Sequence, residues 1–202
     1  NTDLSSKIVG CYEQEVQTKI AEFQKKNKKK YFVNFGAGEG YFALGVLHSG
    51  LFEKSLAFEI SDLSRDIMIE NSKLNNLQDR LSIKHNADKN FLKDLDSSFK
   101  ELSDIFLLAD IEGNEFSIFN DENLQAMKNC NLIIEFHKLH DNKKNQEFMD
   151  KIKKYFNVEI LTTSNRDFSK ISLLRDLNDD DRWLIASENR PYRMIWLACS
   201  SK

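Results

Sequence analysis

Apolar residues recur along this chain with two different periods. Ile8, Tyr12, Val16, Ile20 and Phe23 return at steps of three or four, so one helix is expected over 4–26. Beyond it come short branched and aromatic runs bounded by Gly, Asn, Asp and Ser, with Pro191 the only proline. Strands are expected at 31–35, 55–60, 81–85, 104–109, 131–136, 157–163 and 193–199, and helices at 41–48, 62–74, 114–128 and 143–156. Continuously apolar strands alternating with helical periods imply an α/β fold, a doubly wound and mostly parallel sheet covered on both faces. The connection 164–192 is long and carries Arg166, Arg175, Arg182, Trp183, Arg190 and Tyr192. A stretch of that length holds its own helix or serves a function, and the last of the seven strands is expected to enter antiparallel. The chain reads as one domain, 1–202. It has an N-terminal helical segment 1–30, a ligand-binding core 31–140, and a C-terminal part 141–202 with 164–192 as an insertion.

The first strand runs into three alternate glycines, Gly36, Gly38 and Gly40, followed by the helical segment from Tyr41. Glycine allows a sharp turn and a close approach of the main chain to a nucleotide-like ligand. The spacing is G-x-G-x-G rather than the G-x-G-x-x-G of a pyrophosphate site. That favours S-adenosylmethionine (SAM), which has no phosphate to seat on a helix N-terminus; tight packing alone is the other explanation of such a turn. Ser55 to Ile60 reads as a buried strand ending in the carboxylate of Glu59. Glu59 falls about 20 residues past the turn, where a βαβ unit delivers an acid to a ribose diol. The bland alternative is a solvated acid at a strand end.

Composition narrows the classes. With 202 residues, 41% hydrophobic and 30% charged, the chain suits a single globular core. The net charge of −3 gives no general argument for nucleic acid. Lys25, Lys26, Lys28, Lys29 and Lys30 read as the solvated C-terminal end of a helix, with phosphate or an anionic membrane as the alternative. Cys11, Cys130 and Cys199 show no C-x-x-C spacing, and no secretory signal is visible. Free thiols in a reducing compartment, the cytoplasm, are therefore expected. No apolar run approaches the roughly 20 residues of a membrane helix. The sequence begins at Asn1 rather than Met, which leaves an upstream segment open.

Four segments together resemble the FkbM-type family of class I SAM-dependent methyltransferases. Asn34-Phe35-Gly36-Ala37-Gly38-Glu39-Gly40-Tyr41-Phe42 is similar to that family's D-x-G-A-x-x-G-x-[FY] turn, and Ala57-Phe58-Glu59 to its A-F-E strand end. Leu108 to Glu115 is similar to K-x-D-[VI]-E-G-x-E, and Ile134-Glu135-Phe136-His137 to [VI]-E-x-H. The order and spacing agree from residue 31 to about 140. The resemblance implies a Rossmann-like methyltransferase fold and methyl transfer from SAM, commonly to oxygen. Asn34 stands where Asp is usual, and Leu108-Ala109 precedes Asp110 where the pattern has K-x, so its Lys is missing. Residues 141–202 match no motif, so the acceptor is not carried over; a small molecule or carbohydrate is expected, and nucleic acid is not.

Ligands of an open α/β sheet lie beyond the carboxyl ends of its strands. The candidate cofactor-binding residues are Asn34, Gly36, Ala37, Gly38, Gly40, Tyr41, Phe42, Glu59, Ile60, Asn86, Ala87, Asp88 and Asp110. Tyr41 and Phe42 read equally as a packed first helical turn, and Asn86 to Asp88 as a plain turn. The candidate catalytic residues are Asp110, Glu112, Glu135 and His137. His137 is read either as a general base or as a hydrogen-bonded strand-end histidine. Asp110 and Glu135, on neighbouring strand ends, are also candidates for a divalent cation, which is not the favoured reading; His140 completes an H-x-x-H that is poor evidence for zinc. The N-terminal helix and 164–192 are expected to cover the acceptor side, with Tyr12, Glu13, Trp183 and Arg190 near the pocket. Three rival functions are considered: a dehydrogenase, a nucleic-acid methyltransferase and a non-catalytic SAM-fold module. The glycine spacing opposes the first. The [ND]-P-P-[YFW] grip on a flipped base is impossible with one proline.

Overall fold

A computed structural model describes residues 3–202. Seven strands form one sheet: β1 (Tyr31–Phe35), β2 (Lys54–Phe58), β3 (Leu81–Lys84), β4 (Ile105–Ala109), β5 (Asn131–Glu135), β6 (Phe156–Thr162) and β7 (Ile195–Ser201). Their order is β3-β2-β1-β4-β5-β7-β6. The first five strands are parallel, and β7 runs antiparallel to both β5 and β6. The chain leaves β1 in one direction to β2 and β3, then crosses back to β4. The reversal opens a crevice between the exits of β1 and β4.

Each central strand sends alternate side chains to opposite faces. Val33, Phe35, Leu107, Ala109, Leu132 and Ile134 join one buried layer. Phe32, Phe106, Leu108 and Ile133 join the other. The first layer is covered by α5 (Phe91–Ser98), α6 (Glu115–Ile118), α7 (Asp121–Ala126) and α8 (Asn142–Tyr155). The second is covered by α2 (Gln14–Asn27), α3 (Tyr41–His48) and α4 (Asp62–Leu74). Phe32, Phe52 and Phe106 pack ring to ring within that second layer. Burying a side chain of this size contributes about 1.5–3 kcal/mol, so the central strands are held rigidly and the loops at their ends inherit fixed positions.

Several elements depart from the periodicity reading. The helix expected over 4–26 is two, α1 (Leu4–Ile8) and α2, broken where Gly10 and Glu13 take left-handed φ of +77° and 45°. Cys11 turns inward there onto Ile171, Leu174 and Ala186, and that packing overrides the helical repeat. The helix expected over 114–128 is also two, because Asn120 starts afresh as the cap of α7 by accepting from the Asn123 N–H at 2.9 Å. β2 ends at Phe58 and β5 at Glu135, so Glu59, Ile60 and His137 lie past their strands. Two short helices had no sequence signal long enough to register: α5 and α9 (Asp179–Ala186), the latter inside the 164–192 connection.

Candidate functional site

The floor of the crevice is the turn from β1 into α3. The N–H groups of Gly36 and Ala37 both donate to the Phe58 carbonyl, at 2.9 and 3.0 Å, which fastens the turn to the end of β2. Gly36 has φ +71°, and a Cβ there would sit 1.7 Å from the Asp110 carbonyl oxygen. Its glycine is demanded by the exit of β4, not by a ligand. Gly38 differs: its φ is +54°, and a Cβ would meet nothing within 4 Å. The Gly38 N–H donates to Glu59 Oε2 at 2.7 Å, while Glu59 Oε1 accepts from Ser61 N–H at 2.8 Å.

Two cavities meet over this floor. One, of ≈290 Å³, is lined by Gly36, Gly38, Glu59, Ile60, Asn86, Ala87 and Asp110, with His85, Ile111 and Glu112 beside them. The other, of ≈160 Å³, shares Gly36, Gly38 and Asp110 and adds Lys7, Tyr12, Glu13, Asn34, Ala37, Tyr41 and Phe42. The two form a two-lobed cleft with Asp110 at its waist. Asp88 lines neither lobe; its Oδ1 accepts from Asn90 N–H at 2.6 Å and turns the chain toward α5. Gly40 supports from behind, where a Cβ would come 2.6 Å from Met68. Tyr41 packs edge-on against Tyr12, and its hydroxyl accepts from Gln17 Nε2 at 3.2 Å.

Beyond the waist lies a concentration of charge. Ala109 and Ile134 are register partners, so the next residues, Asp110 and Glu135, face each other across the strand ends. His137 Nδ1 lies 3.0 Å from buried Glu115, and its Nε2 lies 3.7, 3.5 and 3.6 Å from Asp110, Glu112 and Glu135. Arg190 closes the other side, paired with Glu13, 3.2 Å from Glu188 and 3.8 Å from Glu135. Asp110 Oδ1 and Glu135 Oε2 are buried atoms that accept no hydrogen bond, with His137 Nε2 the charge nearest Asp110 Oδ1.

The environment sets the protonation of this group. Burial, then repulsion from Asp110 and Glu13, pushes Glu135 up to about 9. Burial pushes Glu13 up to about 7, against the pull of Arg190. Burial and its carboxylate neighbours raise Asp110 as well. The hydrogen bond to Glu115 lifts His137 to about 9, so it carries its proton through neutral pH and behaves as a cation, not as a ready proton acceptor. His137 stabilises the fold fully below its unfolded value of 6.5 and loses that contribution as pH climbs through about 9. Glu13 and Glu135 bind protons more tightly folded than unfolded, so their ionisation costs stability as pH rises from 4.5. All three signs agree. The melting temperature of the ligand-free protein is expected to fall by several degrees between pH 6.5 and 9, and Glu135→Gln is expected to flatten the curve; a wild-type curve flat over that window would refute the assignment.

Of the residues expected over the acceptor side, Tyr12, Glu13 and Arg190 stand at the cleft, whereas Trp183 lines a separate groove beyond Arg190. Lys7, His85, Glu115 and Glu188 were not singled out by sequence. Glu115 had a signal, since it closes the Asp110-Ile111-Glu112-Gly113 motif; Lys7 had none, because only the fold of α1 brings it to the glycine turn, 2.5 Å from Glu39. The lysine run is partly tied down: Lys29 Nζ donates to the Ser103 and Asn129 carbonyls and Lys30 pairs with Asp104.

No protein-family model and no curated protein sequence matches this chain. Solved structures do. An O-methyltransferase from Bacillus cereus in complex with SAH aligns with a TM-score of 0.60 at 15% identity, covering 94% of this chain and 81% of that one. The m1A22 tRNA methyltransferase TrmK of B. subtilis aligns with a TM-score of 0.57 at 10% identity, over 92% and 64%. A SAM-dependent O-methyltransferase from Thermotoga maritima gives 0.53 at 16%, over 91% and 65%. The fold is the Rossmann-like SAM-methyltransferase fold. These similarities extend to architecture alone, and the three include O-methyltransferases and a tRNA methyltransferase. Among the described residues no helix is long and apolar enough to cross a membrane.

Proposed function

We propose that this chain is a SAM-dependent methyltransferase acting on a hydroxyl oxygen of a small molecule or sugar, of the FkbM type its motifs resemble. The observation that carries the reading is the cleft: two lobes over one glycine turn, a carboxylate at the end of β2 in one, buried Glu13 in the other and Asp110 shared between them. The larger lobe suits an adenosine. Glu59 has lone pairs left for a ribose diol beside its two backbone partners, and Asn86 and Ala87 line the same lobe. The smaller lobe suits an amino-acid chain, with Asp110 and Glu13 toward its ammonium and Lys7 as the cation toward its carboxylate. SAM, when bound, supplies a methyl group on a positively charged sulfur. The surplus of carboxylates at the waist complements that charge.

The chain's own task is to receive the acceptor's proton. Asp110 and Glu135 are too close to ionise independently, and between them they hold a proton and a charge near neutrality. Asp110 Oδ1 at the waist and Glu135 Oε2 behind it accept no hydrogen bond, which leaves lone pairs for that proton. His137, with Glu112 and Glu115 around it, supplies the compensating positive charge. Buried free thiols at Cys11, Cys130 and Cys199 accord with a reducing, cytoplasmic setting.

Calorimetry on Glu59→Ala tests the cofactor site. Losing charge-assisted bonds of about 1.5–3 kcal/mol weakens SAM and its demethylated product, S-adenosylhomocysteine (SAH), about ten- to 150-fold; unchanged affinity would remove Glu59 from the site. A second reading is favoured by one geometric fact: Asp110, Glu135 and His137 each offer a ligand atom, all within 4.8 Å of one another. A divalent cation held there would orient acceptor oxygens. On the first reading, transfer survives EDTA without gain from magnesium; loss on chelation and recovery with magnesium would establish the second.

A further inference from the structure

A groove of ≈370 Å³ lies beyond Arg190, within the size range of small-molecule sites of about 300–1,000 Å³. Its position follows from topology. Thr162 at the end of β6 pairs with Ile195 at the start of β7, and Trp196 pairs with Glu135. The segments leaving β6 and entering β7 therefore rise from the same sheet edge as the proposed transfer centre. Arg190 belongs to both places: it lines the groove, and its guanidinium reaches Glu13 and the Tyr12 hydroxyl in the cleft.

The lining has an unusual composition. Trp183 on α9 is 54% exposed and braced edge-on by Phe168 at 4.7 Å. Around it stand planar polar groups: Asn165, Asn189, Arg166 and Glu188. Arg166 is fixed in place by Glu15 at 2.6 Å and by Glu188. Both guanidiniums are outnumbered by the carboxylates paired with them, so the groove holds no surplus positive charge for a phosphate. An exposed indole offers an apolar platform, and the fixed Arg166–Glu188 pair with the exposed amides of Asn165 and Asn189 offers donors and acceptors. A pyranose matches both, with a C–H face for the indole and a rim of vicinal hydroxyls for the polar groups. Holding Arg166, Arg190 and Glu188 in place beforehand lowers the entropy lost on binding.

We infer that this groove binds a carbohydrate acceptor, with Trp183 as its stacking platform and Arg190 as the wall facing the methyl-transfer centre. The inference rests on the methyltransferase reading and narrows its acceptor to a neutral sugar ring.

The chain has two tryptophans, and Trp196 is buried at 1% exposure, so the two report differently. Full-length protein labelled with fluorotryptophan is saturated with SAH and titrated with the methyl glycosides of glucose, mannose and rhamnose, followed by fluorine NMR. Trp183→Phe assigns its resonance by removing it. The expected result is a saturable shift of the Trp183 line with at least one glycoside and no shift of Trp196. Asn165→Ala, which keeps the reporter, is expected to weaken that glycoside about three- to tenfold. Silence of the Trp183 line toward all three, or a saturable response to catechol alone, overturns the inference. Failure of SAH itself to bind counts against the cofactor reading instead, and the same titration without SAH then still decides the groove.

Discussion

Gly36→Ala is expected to cripple the fold, while Gly38→Ala, two residues away, is expected to spare the fold and cripple binding. A methyl on Gly36 would need the space of the Asp110 carbonyl oxygen, 1.7 Å from the ideal Cβ, at a φ of +71°. Both obstacles are backbone, so no rotamer change relieves them. Overpacking plus left-handed strain totals about 2–5 kcal/mol. In a chain of this length that lowers the melting temperature by about 4–20 °C. Gly38 has open space around its Cβ and pays only the strain, about 1–2 kcal/mol. Its methyl would project toward the cleft that Gly38 lines in both lobes, and SAH affinity should fall at least about tenfold. Thermal melts and calorimetry on the two variants check the pair. Equal stability losses would contradict the distinction between a packing glycine and a ligand-facing one.

Asp110→Asn should separate stability from activity. Asp110 is among the groups that raise Glu135, and the two face each other at the strand ends. Removing its charge lets Glu135 ionise more easily, so the variant is expected to melt higher than wild type at pH 8 and to converge with it toward pH 5. The same change removes half of the proposed proton acceptor, and methyl transfer from labelled SAM, screened over hydroxylated sugars, should drop at least about a hundredfold. A variant that is both less stable at pH 8 and fully active would refute the shared-proton account. Stabilisation at the expense of function is what a strained active site predicts.

The sheet and the glycine turn under the cleft were legible in the sequence because local rules govern them. Buried strands need unbroken apolar runs, and the left-handed turn after β1 needs Gly36 and Gly40. The charged end of the cleft was legible only in outline. Glu13 owes its position to a left-handed break between α1 and α2, and that break is enforced by Cys11 packing on Ile171, Leu174 and Ala186, some 160 residues or more along the chain. Periodicity cannot register such a contact, so one long helix was the natural expectation. His137 illustrates a different limit. The sequence gives its type and its nearness to Glu135, but its proton affinity depends on Glu115, which arrives from α6 and is fully buried. Asp88 resembled a ligand-facing residue by position, yet its side chain is spent on the Asn90 N–H.

The proposed activity requires the two-lobed cleft over the Gly36–Gly40 turn to hold SAM. Isothermal titration of the wild-type chain with SAH tests it most directly, with NADH titrated in parallel. One site per chain with roughly micromolar affinity for SAH, and no heat from NADH, is the predicted result. No binding of either SAH or SAM, or saturable binding of the dinucleotide, would contradict it.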